Sequence, residues 1–127
     1  MRKAPVLCFA LPFTCLMASA KASDFVGTWV GKWDNSYCVQ FTVTDNANTG
    51  EMSVLYEWQE NVGKPLQRET LPGLPTGRSL KIGRHIEFFA SLESADQAVA
   101  LGHFSALRAV ALVREPTKRC NPDGPAR

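Results

Sequence analysis

The sequence predicts an all-β fold of the sandwich or barrel class. Short segments that alternate apolar and polar residues recur at roughly ten-residue intervals, and turn-forming residues separate them. No segment carries the 3.6-residue apolar period of a long amphipathic helix. The first strand, residues 25–33, places Gly27, Trp29, Gly31 and Trp33 on one parity. This arrangement is expected where a strand passes through the closed floor of a small barrel.

The first 20 residues have the pattern of a secretory signal peptide. A cationic start at Arg2 and Lys3 precedes an apolar stretch, and the small residues Ala18, Ser19 and Ala20 follow it. A membrane anchor is the less favoured alternative, because about 14 mostly apolar residues are too few to span about 30 Å of hydrocarbon. We therefore expect cleavage after Ala20 and a periplasmic or secreted protein without a membrane span.

Residues 21–127 are expected to form one domain, since about 107 residues suffice for a single modest core. Without Arg2 and Lys3 the count of basic residues falls from 14 to 12, against 12 acidic residues. Nucleic-acid binders and basic membrane-surface proteins need an excess of cationic side chains. The balanced charge argues against both classes.

The cysteines predict one disulfide bond. Cys8 and Cys15 lie in the leader, which leaves Cys38 and Cys120 in the domain. Two cysteines in an exported protein usually pair, because the compartment is oxidising. A bridge that closes a loop of about 80 residues would stabilise the fold by roughly 4 kcal/mol on chain-entropy grounds. Two free thiols, or a two-cysteine metal site without a neighbouring ligand, are the alternatives.

The second and third strands are predicted over residues 37–44 and 51–59, with polar turns before each. Their inward parity consists of Tyr37, Val39, Phe41 and Val43 in one strand and of Met52, Val54, Tyr56 and Trp58 in the other. The first three strands therefore form a predicted meander.

The segment Glu60–Gly77 is expected to be largely irregular. Prolines and glycines interrupt it, and proline cannot donate to a strand ladder while glycine weakens one. At most one short strand, near residues 66–70, fits the pattern. A functional loop and a tolerated insertion are both compatible with such a segment.

The second half of the chain predicts four more strands. They cover residues 78–83, 85–92, 97–104 and 107–115. Alanine is frequent between residues 95 and 113, but Gly102 and the β-branched Val99 and Val110 favour strand over helix. The chain thus has seven clear strands and one doubtful strand.

The start of the domain resembles that of the calycin group, which includes lipocalins, fatty-acid-binding proteins and avidins. In those families a Gly-x-Trp tryptophan plugs one end of an up-and-down β-barrel, and a basic residue of the last strand packs across it. Gly27 and Trp29 match this motif, and Arg114, or alternatively Arg108, matches the basic residue. A guanidinium stacked on an indole is stabilised by about 0.5 to 2 kcal/mol.

The chain is also similar to small exported lipocalin-like domains of bacteria. The matching residues are Gly27, Trp29, Gly31, Trp33, Tyr56 and Trp58. This resemblance implies a small antiparallel up-and-down barrel of about eight strands over residues 21–127. It implies no activity. The chain lacks the tryptophan-rich later strands of avidins and the helical lid of fatty-acid-binding proteins, so neither biotin nor a long fatty acid is expected as ligand.

Aromatic residues on the inward parity make the barrel interior the candidate binding site. Such a barrel is just wide enough to be filled by side chains or to hold one small ligand. If a cavity exists, Trp33, Tyr37, Tyr56 and Trp58 are the expected ligand-binding residues, because each offers an N–H or O–H besides apolar area. A filled core is the alternative.

No pattern in the sequence points to catalysis. Residues 73–79 resemble a phosphate loop but are one residue short and carry arginine in place of lysine. The two histidines lack the spacing of metal ligands. Glu57, Glu60 and Glu87 are expected to be solvated on strand exteriors. We therefore expect neither enzyme activity nor a metal or cofactor.

Two functions remain. The first is to hold a small, largely apolar ligand in the lumen. The second is to bind an exported protein, for example as a protease inhibitor, through Lys21–Asp24 or the loop Asn61–Arg78. The disulfide adds a geometric expectation. Cys38 lies on the outward parity and Cys120 follows the last strand, so the C-terminal segment must run back outside the first strand.

Overall fold

The computed structural model describes residues 21–46, 49–115 and 120 of the chain. Eight strands form one closed barrel, in which each strand pairs antiparallel with the next and the last pairs with the first. The prediction of an all-β, antiparallel up-and-down barrel is confirmed. The predicted signal peptide and its cleavage point lie outside the described residues.

The elements follow one another in a simple order. A short 3-10 helix, Ala22–Phe25, precedes the strands β1 (Gly27–Trp33), β2 (Tyr37–Asp45), β3 (Met52–Trp58), β4 (Gln67–Thr76), β5 (Ser79–Ile82), β6 (Phe88–Leu92), β7 (Gln97–His103) and β8 (Leu107–Arg114). No helix within the described ranges is long and apolar enough to cross a bilayer.

The strand β4 corrects the expectation for Glu60–Gly77. From Gln67 onwards this segment is a ten-residue barrel strand paired with both β3 and β5. Successive residues of a strand present their backbone groups to alternate neighbours. Pro72 faces the end of β5, where its carbonyl accepts from Gly83, and Pro75 faces the side of β3 beyond the last paired residue, Met52. Both prolines therefore lie where little of the ladder needs a donor.

The sixth strand also begins later than predicted. Residues 83–86 form a turn, in which the Ile86 N–H donates to the Gly83 carbonyl at 3.2 Å. Ile86 is exposed and has a positive φ of 55°. It is therefore part of a turn rather than of the inward face of β6, which starts at Phe88.

The barrel closes where β1 meets β8, and Gly31 makes this approach possible. Trp29 pairs with Arg114 and Val30 with Val113 across this junction. A Cβ atom on Gly31 would lie 2.4 Å from the backbone oxygen of Ala111. A larger residue would therefore push the two strands apart.

Arg114 closes the end of the barrel next to the 3-10 helix. Its guanidinium carbon lies 4.4 Å from the centroid of the Trp29 ring. The Nη2 group donates to the carbonyl oxygens of Asp24 at 2.6 Å and Ala95 at 2.8 Å, and Nη1 donates to Val26. The Trp29 indole N–H donates to the Phe25 carbonyl at 2.8 Å. One side chain thus joins the helix, the first strand, the last strand and the turn between β6 and β7.

The alternative candidate, Arg108, lies at the other end of β8. Its guanidinium pairs with Asp34 in the turn between β1 and β2 and lies 5.8 Å from the centroid of the Phe104 ring. The structure thus places Arg114, and not Arg108, against Trp29.

The predicted disulfide between Cys38 and Cys120 is confirmed, with a Cα–Cα distance of 5.6 Å. The Cys120 N–H donates to Gln40 Oε1 at 3.4 Å, and Cys120 Sγ lies 3.7 Å from the Gly31 carbonyl oxygen. Cys120 therefore lies outside β1 and β2, as expected. Residues 116–119, which lead to it, are outside the described residues.

Beside the disulfide, Glu57 is buried rather than solvated. It is 7% exposed, accepts from the Gln40 amide at 3.1 Å and pairs with Arg68 at 3.2 Å. A buried carboxylate needs such partners because it has lost its water. The expectation of a solvated Glu57 was wrong, since it assumed an uncovered outer face.

Replacing Arg114 with alanine should destabilise the barrel by about 2 to 4 kcal/mol. The change removes the stack on Trp29 and leaves several carbonyl oxygens without their charged donor. Urea unfolding followed by circular dichroism measures the effect. Arg108→Ala, at an exposed ion pair, is the matched control and should cost less than about 1 kcal/mol. Equal losses in the two variants would contradict the role given to Arg114.

Candidate functional site

A cavity of about 580 Å³ opens at the end of the barrel opposite Arg114. We call it the aromatic cup. It is lined by Trp33, Tyr37, Tyr56, Trp58, Gln59, Glu60, Glu69, Leu71, Glu87, Phe88, His103, Phe104 and Arg108. The wall includes the four residues predicted to bind a ligand, Trp33, Tyr37, Tyr56 and Trp58. Its volume falls in the range of small-molecule sites, about 300 to 1,000 Å³.

The rest of the lumen is filled. Apolar side chains close the space between Trp29 and Phe41, leaving a gap of about 10 Å³ there. The residues around this gap are Phe25, Trp29, Phe41, Val43, Leu80, Ile82, Ala90, Ala98 and Leu112. The barrel is therefore packed at one end and open at the other. It combines the filled core and the ligand cavity, which were the two alternatives left open by the sequence.

Strand ends place the predicted residues at the open end of the barrel. Trp33 ends β1 and Tyr37 begins β2, and the two are directly paired across the hairpin. Asp34 and Asn35 form the turn between them with φ values of 53° and 60°. Aspartate and asparagine tolerate this left-handed conformation better than most residues, which suits them to tight hairpins. The turn thereby sets Trp33 and Tyr37 opposite each other at the end of the two strands.

Phe88 is the centre of the aromatic packing at the floor of the cup. Its ring centroid lies 4.5 Å from that of Tyr56, 5.3 Å from Phe41 and 6.4 Å from Trp33. Trp58 stacks on the outer side of Tyr56 at 4.8 Å, with an angle of 12° between the ring planes. The floor is therefore a continuous surface of ring faces and edges.

Phe104 is a lining residue that the sequence did not single out. It lies in the turn between β7 and β8 and is 42% exposed, with its ring edge-on to Trp33 at 5.5 Å. A Cβ atom on Gly102 would approach the Phe104 ring to 2.8 Å. Gly102 therefore makes room for the Phe104 ring over the mouth of the cup. The spacing of the two residues in the sequence could have suggested this contact.

The cup also carries charged groups that the sequence did not bring together. Glu60, Glu69 and Glu87 line it, with His103 and Arg108 on the opposite strands. Glu69 faces the lumen because it pairs with Tyr56 across β3 and β4. Recognising β4 would have revealed this position. Glu60 and Glu87 also line the cavity; Glu60 is exposed, as expected, and Glu87 is half-buried.

Two polar groups in the floor are deprived of water. The Trp33 side chain is 4% exposed overall, and its indole nitrogen has no hydrogen-bond partner among the described residues. Burial raises the pKa of the Tyr56 hydroxyl to about 12. The Trp33 N–H and Arg108 offset part of this rise, and the charge of Glu69 adds to it. The Trp33 N–H is thus close to the Tyr56 hydroxyl without the geometry of a hydrogen bond.

No family model, curated protein or solved structure matches the chain. Within residues 21–46, 49–115 and 120, no group of three His, Cys, Asp or Glu side chains is placed to hold a metal ion. What the protein binds is therefore inferred from the side chains of the aromatic cup.

The raised pKa of Tyr56 predicts a loss of stability at alkaline pH. The unfolded tyrosine ionises near its ordinary pKa of 10.0, whereas the folded one ionises near 12. The resulting contribution of Tyr56 to the free energy of unfolding is complete below pH 10. It is lost as the pH rises towards 12, because the unfolded state releases its proton first. Urea midpoints between pH 8 and 12 should therefore fall more steeply for the wild type than for Tyr56→Phe. Parallel curves would contradict the assignment.

Proposed function

We propose that the protein is an exported, lipocalin-like binding protein that holds one small, largely apolar molecule in the aromatic cup. The supporting observation is a cavity of about 580 Å³ whose floor is built of aromatic rings. Apolar burial supplies affinity in such sites, while a few polar groups orient the ligand. In the cup these groups are the neutral Tyr56 hydroxyl and the Trp33 N–H.

The packed end of the barrel favours this function. It fixes the strands on which Trp33, Tyr56 and Phe88 stand, so the rings have little freedom to lose when a ligand enters. Binding sites that are ordered before the ligand arrives avoid part of the entropic cost of association. The proposed activity is binding rather than catalysis.

Export of the protein is part of the proposal. The bond between Cys38 and Cys120 is the kind of crosslink that persists in an oxidising compartment. The signal-peptide pattern of residues 1–20 agrees with it. A periplasmic or secreted location would expose the cup to small molecules outside the cytoplasm.

Binding of an exported protein partner has less support. Asp24, in the N-terminal segment considered for it, supplies a carbonyl oxygen to Arg114. Most of the second candidate, Asn61–Arg78, is strand β4. Asp24 and β4 are thus engaged in the barrel, which leaves residues 61–65 as an exposed stretch of the second segment that precedes β4.

Loss of the Trp58 ring should weaken ligand binding by about five- to tenfold. Trp58 forms one wall of the cup and stacks on Tyr56, and an aromatic contact of this kind contributes about 0.5 to 1.5 kcal/mol beyond its area. Isothermal titration calorimetry with 1-naphthalenemethanol, a small neutral aromatic probe, compares the wild type with Trp58→Ala.

The matched control is Phe89→Ala, because Phe89 is a half-buried aromatic residue of β6 that does not line the cup. It should bind the probe as the wild type does. Equal binding of the probe by the wild type and Trp58→Ala would contradict the role that the proposed function gives to the aromatic wall.

A further inference from the structure

We infer, on the basis of the proposed binding function, that the aromatic cup selects an organic cation: a flat apolar body carrying an ammonium group. The first observation is the position of Glu69. It stands directly opposite Tyr56 on the inward face of β4, among the rings of the cup. The Glu69 side chain is exposed, so its carboxylate is accessible to a cationic group of a ligand at the open end of the cup.

Glu69 has no cation of its own within the described residues. The ion pairs there are formed by Glu57, Asp34 and Asp96. Glu60 and Glu87 also line the cup, so three carboxylates share its wall. One Glu87 oxygen accepts the His85 backbone N–H at 3.3 Å, which orients this carboxylate.

The positive side chains of the wall do not balance this charge. Arg108 is held at the rim by its ion pair with Asp34, and its guanidinium lies over the Phe104 ring. The Arg108–Asp34 pair is neutral as a unit, and His103 is the other basic group on the wall. Three carboxylates thus line the wall with one ion-paired guanidinium and one imidazole, and this excess of acidic groups favours a cation over an anion.

The ring faces favour the same ligand class. An ammonium group is attracted to the faces of tryptophan and tyrosine, and most strongly where water is excluded. Phe41 and Trp58 cover the Tyr56 ring, whereas Trp58 is half-buried and contacts Tyr56 with one face. The Trp58 ring is therefore the aromatic face that an ammonium can meet near the Glu69 carboxylate. The unpartnered N–H of Trp33 is a second recognition group, suited to an oxygen acceptor on the same ligand.

Three naphthalene probes of similar size and different charge test the inference. These are 1-naphthylmethylammonium, 1-naphthalenemethanol and 1-naphthoate, each titrated into the full-length wild-type protein by calorimetry at pH 7. We expect the cation to bind at least tenfold more tightly than the neutral probe and the anion to bind most weakly. Raising the salt concentration should weaken the binding of the cationic probe alone, because salt screens the carboxylates.

A charge-removing variant assigns the effect to its residue. Glu69→Gln keeps the shape of the side chain. It should weaken the binding of the cationic probe at least fivefold and leave the affinity for the neutral probe unchanged. Glu93→Gln, an exposed carboxylate in the turn between β6 and β7, should change neither affinity.

The outcomes separate the two proposals. If the neutral probe binds as tightly as the cation, the cation preference is overturned and the binding function stands. If none of the three probes binds, the binding function itself is overturned. If Glu69→Gln weakens the neutral and cationic probes equally, Glu69 acts through shape, and its role as a cation-binding charge is overturned.

Discussion

The structure depends on the contact between the Arg114 guanidinium and the Trp29 indole. It lies where the last strand meets the first, so it helps to close the barrel and at the same time covers its floor. The carbonyl oxygens bound by Arg114 belong to the helix before β1 and to the turn after β6. Because this end is packed and hydrogen-bonded, the opposite end can leave its lumen open without loss of the fold.

The two ends of the lumen differ in chemistry because the inward residues change along the strands. Towards Trp29 they are mainly aliphatic, and such side chains interdigitate with little space between them. Towards the mouth they are rings, with Phe88 in contact with both regions through Phe41 and Tyr56. Large flat groups at this end of the barrel leave space between them, and three carboxylates are among the groups that line this space.

The sequence predicted the barrel, the disulfide and the aromatic residues of the wall, because period-two alternation and cysteine pairing are local or compositional properties. It did not predict β4, because Pro72 and Pro75 look like strand breaks in the sequence. Only the structure shows that the adjacent strands end beside these two prolines. Glu69 was missed for the same reason, because its inward direction follows from its register with β3. The burial of Glu57 depends on Gln40 and Arg68, which are distant in sequence.

The disulfide has a consequence for how the wall of the barrel is held closed. Only Trp29 with Arg114 and Val30 with Val113 are in register between β1 and β8, whereas all of β1 is in register with β2. The hydrogen bond from the Glu115 N–H to the Thr28 carbonyl oxygen, at 2.9 Å, adds to these two pairs at the junction. The link from Cys38 to Cys120 crosses the outside of β1 and ties β2 covalently to the chain that follows β8. The bond thereby limits how far the chain after β8 can move away from β1 and β2, so the closed wall of the barrel is secured by a covalent link as well as by its strand pairs.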